Sequence, residues 1–154
     1  MQIQELTKTS PLYPKEWELL PDAPMTVQYV GDISLLKTRK FTVVGSRKTP
    51  MAALKTGEEI GKGLSGAFTL VTGAADGGDT AAMEGALKAG GKVICVLAGG
   101  FSALPQANYP LMQRIMERGS LANPFICSDR VLEDKLIAVV VCNTANSISG
   151  YSAK

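Results

Sequence analysis

The sequence predicts an α/β fold: a doubly wound, mostly parallel sheet with helices on both faces. Three observations carry this expectation. Continuous Val/Ile/Leu-rich runs of strand length recur from Phe41 onward, the pattern of strands buried on both faces of a parallel sheet. Helix-compatible stretches alternate with those runs, the signature of βαβ units joined by right-handed crossovers. Glycine is abundant, at 16 residues, while aromatics make up only 6% of the chain. That balance favours Gly-rich turns and close helix–sheet packing over a β-sandwich.

The elements follow in order. The first forty residues hold four of the eight prolines (Pro11, Pro14, Pro21, Pro24) and the single tryptophan, Trp17. Within them Met25–Val30 alternates like a short strand, and Gly31 ends it in a turn. Residues 1–40 are therefore expected to be a Pro-rich lead-in packed on the domain, with residues 41–154 forming the α/β domain itself. Buried strands are expected at Phe41–Val44, Phe68–Thr72, Val93–Leu97 and Ile137–Cys142. Helices are expected at Met51–Leu64, Thr80–Lys88 and Asn108–Arg118. The chain then stops at Lys154, soon after a buried-type strand and a polar turn. A further helix would ordinarily cover that strand, so the reading expects a sheet edge, a second subunit, or a chain shorter than its relatives.

A chain of 154 residues makes one domain and buries enough surface to need neither disulfide nor metal. Apolar residues at 45% and charged residues at 19% exclude a disordered chain. Histidine is absent, which removes a Ser-His-Asp or Cys-His pair, an imidazole base and any His-containing zinc site. No catalytic residue, metal or cofactor is expected. A net charge of +2 does not identify a partner, so clustering of charge must carry that argument. Cys95, Cys127 and Cys142 form no CxxC pair, and two of them lie in apolar runs, as buried free thiols do. With no basic and apolar leader and no long apolar run, a cytoplasmic protein without a membrane partner is expected.

Ligands of open parallel sheets bind beyond the carboxyl ends of the strands, so the turns there are the candidate site. After the first run come Gly45, Ser46, Arg47, Lys48, Thr49 and Pro50. Gly45 permits close backbone approach, Ser46 and Thr49 are candidate caps for the next helix, and Arg47 and Lys48 bring positive charge. A helix N-terminus beside a basic fork suits phosphate, although a capped turn with two solvated cations would look the same. After the second run come Gly73, Asp76, Gly77, Gly78 and Asp79. Asp79 reads most simply as an N-cap, and Asp76 as an acceptor for a ligand hydroxyl. The spacing is not GxGxxG. After the third run, Gly99 and Gly100 clear space, Asn108 is a candidate N-cap, and Phe101 is either a stacking platform or core.

The order of these turns resembles the DNA-processing protein A family (DprA, also called Smf) and its Rossmann-like domain. The resemblance rests on Pro24 with Tyr29-Val30-Gly31, on Val44-Gly45-Ser46-Arg47, on Thr72-Gly73-Ala74 through Gly85-Ala86-Leu87, and on Val96-Leu97 with Gly99, Pro105, Asn108 and Leu111. It runs from about Leu12 to the end, and the ordered set is specific even though each piece is weak. Departures stand beside it. The family's His is Met83 here, and its basic Arg-Asn-Arg loop aligns with Phe125–Arg130, where only Arg130 survives beside Asp129. Ser149-Gly150 matches the family's next Ser-Gly, after which members continue with more sheet and often a winged helix.

The resemblance implies a non-catalytic, single-stranded DNA-binding protein of DNA uptake, transformation and recombination, with a RecA-type recombinase as a further partner and a homodimeric assembly. Carried over, Gly45, Ser46 and Arg47 would meet phosphate, with Gly73, Gly99, Gly100 and Arg130 lining the groove. Affinity would fall with salt. The alternative is a nucleotide-binding or nucleotide-hydrolysing domain like the lysine-decarboxylase-like phosphoribohydrolases. Their Pro-Gly-Gly-x-Gly-Thr-x-x-Glu motif is absent, since Phe101-Ser102 follow Gly99-Gly100. A third reading, favoured by Asp129 and Met83, is a sensing or structural domain that kept only the fold.

Overall fold

Neighbouring residues in the central strands go to opposite faces of one sheet, and that alternation builds the architecture. On β4 (Thr69–Thr72), Leu70 joins one apolar cluster and Val71 the other. On β5 (Val93–Leu97), Val93, Cys95 and Leu97 point to the first cluster, while Ile94 and Val96 point to the second. Both strands are buried on both faces, as strands rich in Val, Ile and Leu in a parallel sheet are. The structure, a computed structural model, describes residues 3–21, 23–97, 106, 109–111, 113, 125–127, 141–142 and 148–149.

The remaining strands of the sheet are β1 (Gln4–Thr7), β2 (Thr26–Val30), β3 (Lys40–Thr42) and β6 (Phe125–Cys127), and the six lie in the order β1-β2-β6-β5-β4-β3. From β3 to β6 each neighbour is parallel, with Phe41 opposite Leu70 and Val71 opposite Ile94. β2 runs antiparallel to β6, and β1 antiparallel to β2. The mostly parallel α/β fold expected from the sequence is the one observed.

The two faces are covered from different parts of the chain. α2 (Met51–Leu64) follows β3, and α3 (Gly78–Lys88) follows β4. Stepping the same way across the sheet with right-handed crossovers puts both on one face. There Ala82, Met83, Ala86 and Leu87 of α3 bury against Leu70, Val93 and Cys95. α2 and α3 touch through small residues: Gly57 meets Ala81 and Gly61 meets Ala82, while Gly85 meets the backbone of Glu58. The opposite face is covered by the N-terminal residues. α1 (Lys15–Glu18) supplies Trp17, and a 3-10 helix at Ile33–Lys37 supplies Ile33, Leu35 and Leu36. Tyr13, stacked edge-on against Trp17 and donating its hydroxyl to the Pro24 carbonyl at 2.8 Å, fixes this layer. The first forty residues thus provide two strands and the second helical layer.

Several boundaries differ from those expected. α2 spans Met51–Leu64 as expected, but α3 begins at Gly78 rather than Thr80. β3 is Lys40–Thr42, displaced from Phe41–Val44, although Val43 still packs on the first cluster. β1 and β6 have no counterpart among the expected strands. β6 begins the stretch that aligns with the family's basic loop, so Phe125–Cys127 are strand residues between β5 and β2. The expected strand Ile137–Cys142 is described only at β7 (Val141–Cys142). This pairs antiparallel with β8 (Ile148–Ser149) in a separate ribbon and not in the parallel sheet. Of the expected helix Asn108–Arg118, only 109–111 and 113 fall within the described residues, and they are helical.

Candidate functional site

The turns after β3 and β4 meet at the carboxyl edge of the sheet. They meet because glycines face each other there. A Cβ on Gly78 would lie 2.5 Å from the Gly45 Cα, which no side chain tolerates, so the two backbones touch only as glycines. Gly77, with φ of 85°, turns the chain into α3 directly beneath the carbonyls of Ser46 and Arg47. The Gly78 N–H donates to the Ser46 carbonyl at 3.3 Å, tying the first turn onto the start of α3.

Asp79 completes the junction. It is 4% exposed, and its carboxylate accepts the Gly45 N–H at 2.9 Å and the Ala75 N–H at 3.4 Å. One side chain therefore bonds the backbone of both turns. Its position also corrects the N-cap expectation: the cap of α3 is Gly77, with no side-chain cap bond, and Asp79 is the second helical residue. A carboxylate in the first turn of a helix is stabilised by the helix dipole. Thr80 donates its hydroxyl to the Ala75 carbonyl at 2.8 Å, and Ala74 adopts a left-handed φ of 57° while fully buried. Both backbone groups of Ala75 in the second turn are thus bonded by the start of α3.

The first turn is different. Ser46, Arg47 and Lys48 are exposed. The Ser46 and Thr49 hydroxyls do not cap α2, whose N-cap is Pro50 without a side-chain cap bond. Ser46 Oγ instead accepts the Lys48 N–H at 3.2 Å, and the Thr49 hydroxyl donates to the Ser46 carbonyl. These local bonds compete with capping and fold the loop into a tight turn that projects its two cations. Asp76 is half-buried, whereas Gly73 is exposed at the sheet edge.

The structure therefore brings together Gly45, Ser46, Arg47, Lys48, Gly73, Asp76, Gly77, Gly78 and Asp79 from the sequence-derived set. Gly99, Gly100, Phe101, Asn108, Asp129 and Arg130 lie outside the described residues. Beneath the site, Cys95 donates its thiol to the Met83 sulfur at 3.5 Å. Burial pushes the Cys95 thiol far above its usual range, and the Asp79 charge adds to that shift. The position equivalent to the family's His is thus a fully buried core methionine, packed on this thiol. No group of His, Cys, Asp and Glu suited to a metal ion occurs among the described residues. No helix among them is long and apolar enough to cross a membrane.

The family described as DNA recombination-mediator protein A matches residues 4–138. A DNA processing protein DprA of Streptococcus pneumoniae is 39% identical over 104 residues, which cover 67% of this chain and 37% of that protein. The X-ray structure of DNA processing protein A from Streptococcus pneumoniae superposes with a TM-score of 0.72 at 32% identity, covering 82% of this chain and 44% of that one. DNA processing protein A from Helicobacter pylori, whose structure describes a single-stranded DNA binding mode, gives a TM-score of 0.68 at 25% identity, over 82% of this chain and 55% of that one. The chain spans between 37% and 55% of the length of these relatives.

Proposed function

The chain belongs to the DNA recombination-mediator protein A family, and from that membership we propose that it binds single-stranded DNA along the carboxyl edge of its sheet. The phosphates lie on the Ser46–Lys48 turn and the open first turn of α2, with Arg47 and Lys48 supplying charge-assisted contacts. The observation that carries this reading is the exposure of two cations on a loop whose backbone is fixed from behind by Gly78 and Asp79. A strand meeting such a loop orders few protein groups on binding, so little conformational entropy is lost. The Helicobacter pylori relative, described for its single-stranded DNA binding mode, supports the same choice of ligand.

The activity is binding and delivery without bond cleavage. With no histidine in the chain, a base at neutral pH would have to come from carboxylates or lysines, and the exposed part of the site presents cations. Family membership extends the proposal to passing the strand to a RecA-type recombinase, to homodimer formation and to a cytoplasmic setting during DNA uptake. Arg130, Gly99, Gly100 and Asn108 are proposed to extend the groove beyond the turn.

Fluorescence anisotropy with labelled single-stranded and duplex oligonucleotides of one sequence tests this directly. Binding that favours the single strand and weakens roughly tenfold in Arg47→Ala at low salt supports it. Equal binding of duplex and single strand, or none at low salt, defeats it.

A further inference from the structure

We infer that the crevice between the two turns already contains its anion, the carboxylate of Asp79, and is closed to the phosphate of any ligand. In folds of this class a nucleotide phosphate ordinarily takes N–H groups from the Gly-rich turn and from the N-terminus of the helix that follows. Here the chain fills those positions itself. The Gly45 and Ala75 amides donate to the two oxygens of Asp79, at 2.9 and 3.4 Å, and the Gly78 amide donates to the Ser46 carbonyl at 3.3 Å. Space is closed as well as charge, because the Gly45 and Gly78 backbones touch and Asp79 is only 4% exposed. A second anion brought against a buried carboxylate would meet repulsion in a low-dielectric setting, and the Gly45, Ala75 and Gly78 amides that would offset it are already taken.

Two consequences follow. A mononucleotide finds no phosphate cradle in the Gly73–Gly78 turn, despite its glycines. A DNA strand, which this inference takes from the proposed function, is confined to the outer rim at Ser46, Arg47 and Lys48, and Asp79 serves as a positioning residue for that rim. Gly77 and Gly78 of the second turn are present for close backbone packing, not for ligand approach.

The test is an amide titration of the uniformly 15N-labelled chain with inorganic phosphate, then with adenosine monophosphate, then with a single-stranded oligonucleotide. In the wild type, the Gly45, Ala75 and Gly78 amides should stay unmoved by phosphate and by the nucleotide into the millimolar range. The oligonucleotide should move Ser46 and Lys48. Asp79→Ser shortens the side chain and removes its charge, and should give saturable phosphate shifts at Gly45 and Ala75. Saturable wild-type shifts at those two amides with phosphate or nucleotide overturn the inference, and this result needs no variant to fold. A folded Asp79→Ser chain that still ignores phosphate would assign the closure to the Gly45–Gly78 backbone contact and overturn the claim that the carboxylate is the crevice's anion. Failure of the oligonucleotide to move Ser46 and Lys48 would sink the single-strand reading and the rim assignment, while the phosphate result would still decide whether the crevice is closed.

Discussion

The turn after β3 and the turn after β4 look alike in sequence, and they do opposite work. Both are glycine-bearing, both follow a strand of the parallel sheet, and both lead into a helix. The first projects Ser46, Arg47 and Lys48 into solvent. The second turns its polar groups inward, with Asp79 bonded to the backbone of both turns and Thr80 bonded to Ala75. A Gly-rich turn at a strand end is therefore not in itself a phosphate cradle. What decides its role is whether the chain supplies an internal acceptor for its N–H groups.

The sharpest way to break the comparison is to remove that acceptor. Asp79→Ala leaves two part-buried amide donors without this acceptor, and at the lower end of about 1–3 kcal/mol for each it should cost roughly 2–3 kcal/mol of stability. Denaturant titration reads the shift, and a loss below about 1 kcal/mol would mean the carboxylate holds neither turn. Gly78→Ala comes next. Its methyl would press on the Gly45 backbone, which has no side-chain freedom to yield, and overpacking of this kind costs about 1–3 kcal/mol. A neutral Gly78→Ala would show that the turns do not touch in solution.

A smaller effect sharpens the picture from beneath. The Cys95 thiol ionises in the folded chain only well above its ordinary value of 9.0, because burial and then Asp79 oppose the thiolate. The sign follows from linkage. The unfolded chain loses this proton first, so the stability it contributes is complete below about pH 9 and declines as pH rises above it. The slope approaches about 1.4 kcal/mol per pH unit, and Cys95→Ala should remove that component of the alkaline decline. A thiol reagent should leave Cys95 unmodified until the chain unfolds. Rapid labelling of the native protein at this position would contradict the buried setting of the Asp79 junction.

The central βαβα portion is legible because β5 is an unbroken apolar run, β4 carries Leu70-Val71 between β-branched threonines, and α2 is bounded by Pro50 and followed by a Ser-Gly turn. β1 is not, because it is a polar edge strand in which only Leu6 is buried. β6 is hidden for a different reason: three residues carry no period, and only pairing with β2 and β5 makes them a strand. The cations at Arg47 and Lys48 stand out because their turn is local. Asp79 stands out as a residue but reads as a local cap, since its bond to Gly45 crosses 34 positions of sequence. The glycine of the first turn is the available clue, because a residue that must lack a Cβ implies a close neighbour.

The least perturbing change, Arg47→Ala, addresses the central claim that the first turn, and not the second, presents charge to the strand. Being exposed, Arg47 should alter stability by less than about 0.5 kcal/mol when truncated. The decisive measurement is the salt dependence of single-stranded oligonucleotide affinity for the wild type and Arg47→Ala. Removing one cation from the phosphates should lower the slope of log K against log salt by about 0.7 and weaken binding roughly tenfold at low salt. An Arg47→Ala chain that binds with unchanged affinity and slope would contradict the account, and would place the strand somewhere other than this turn.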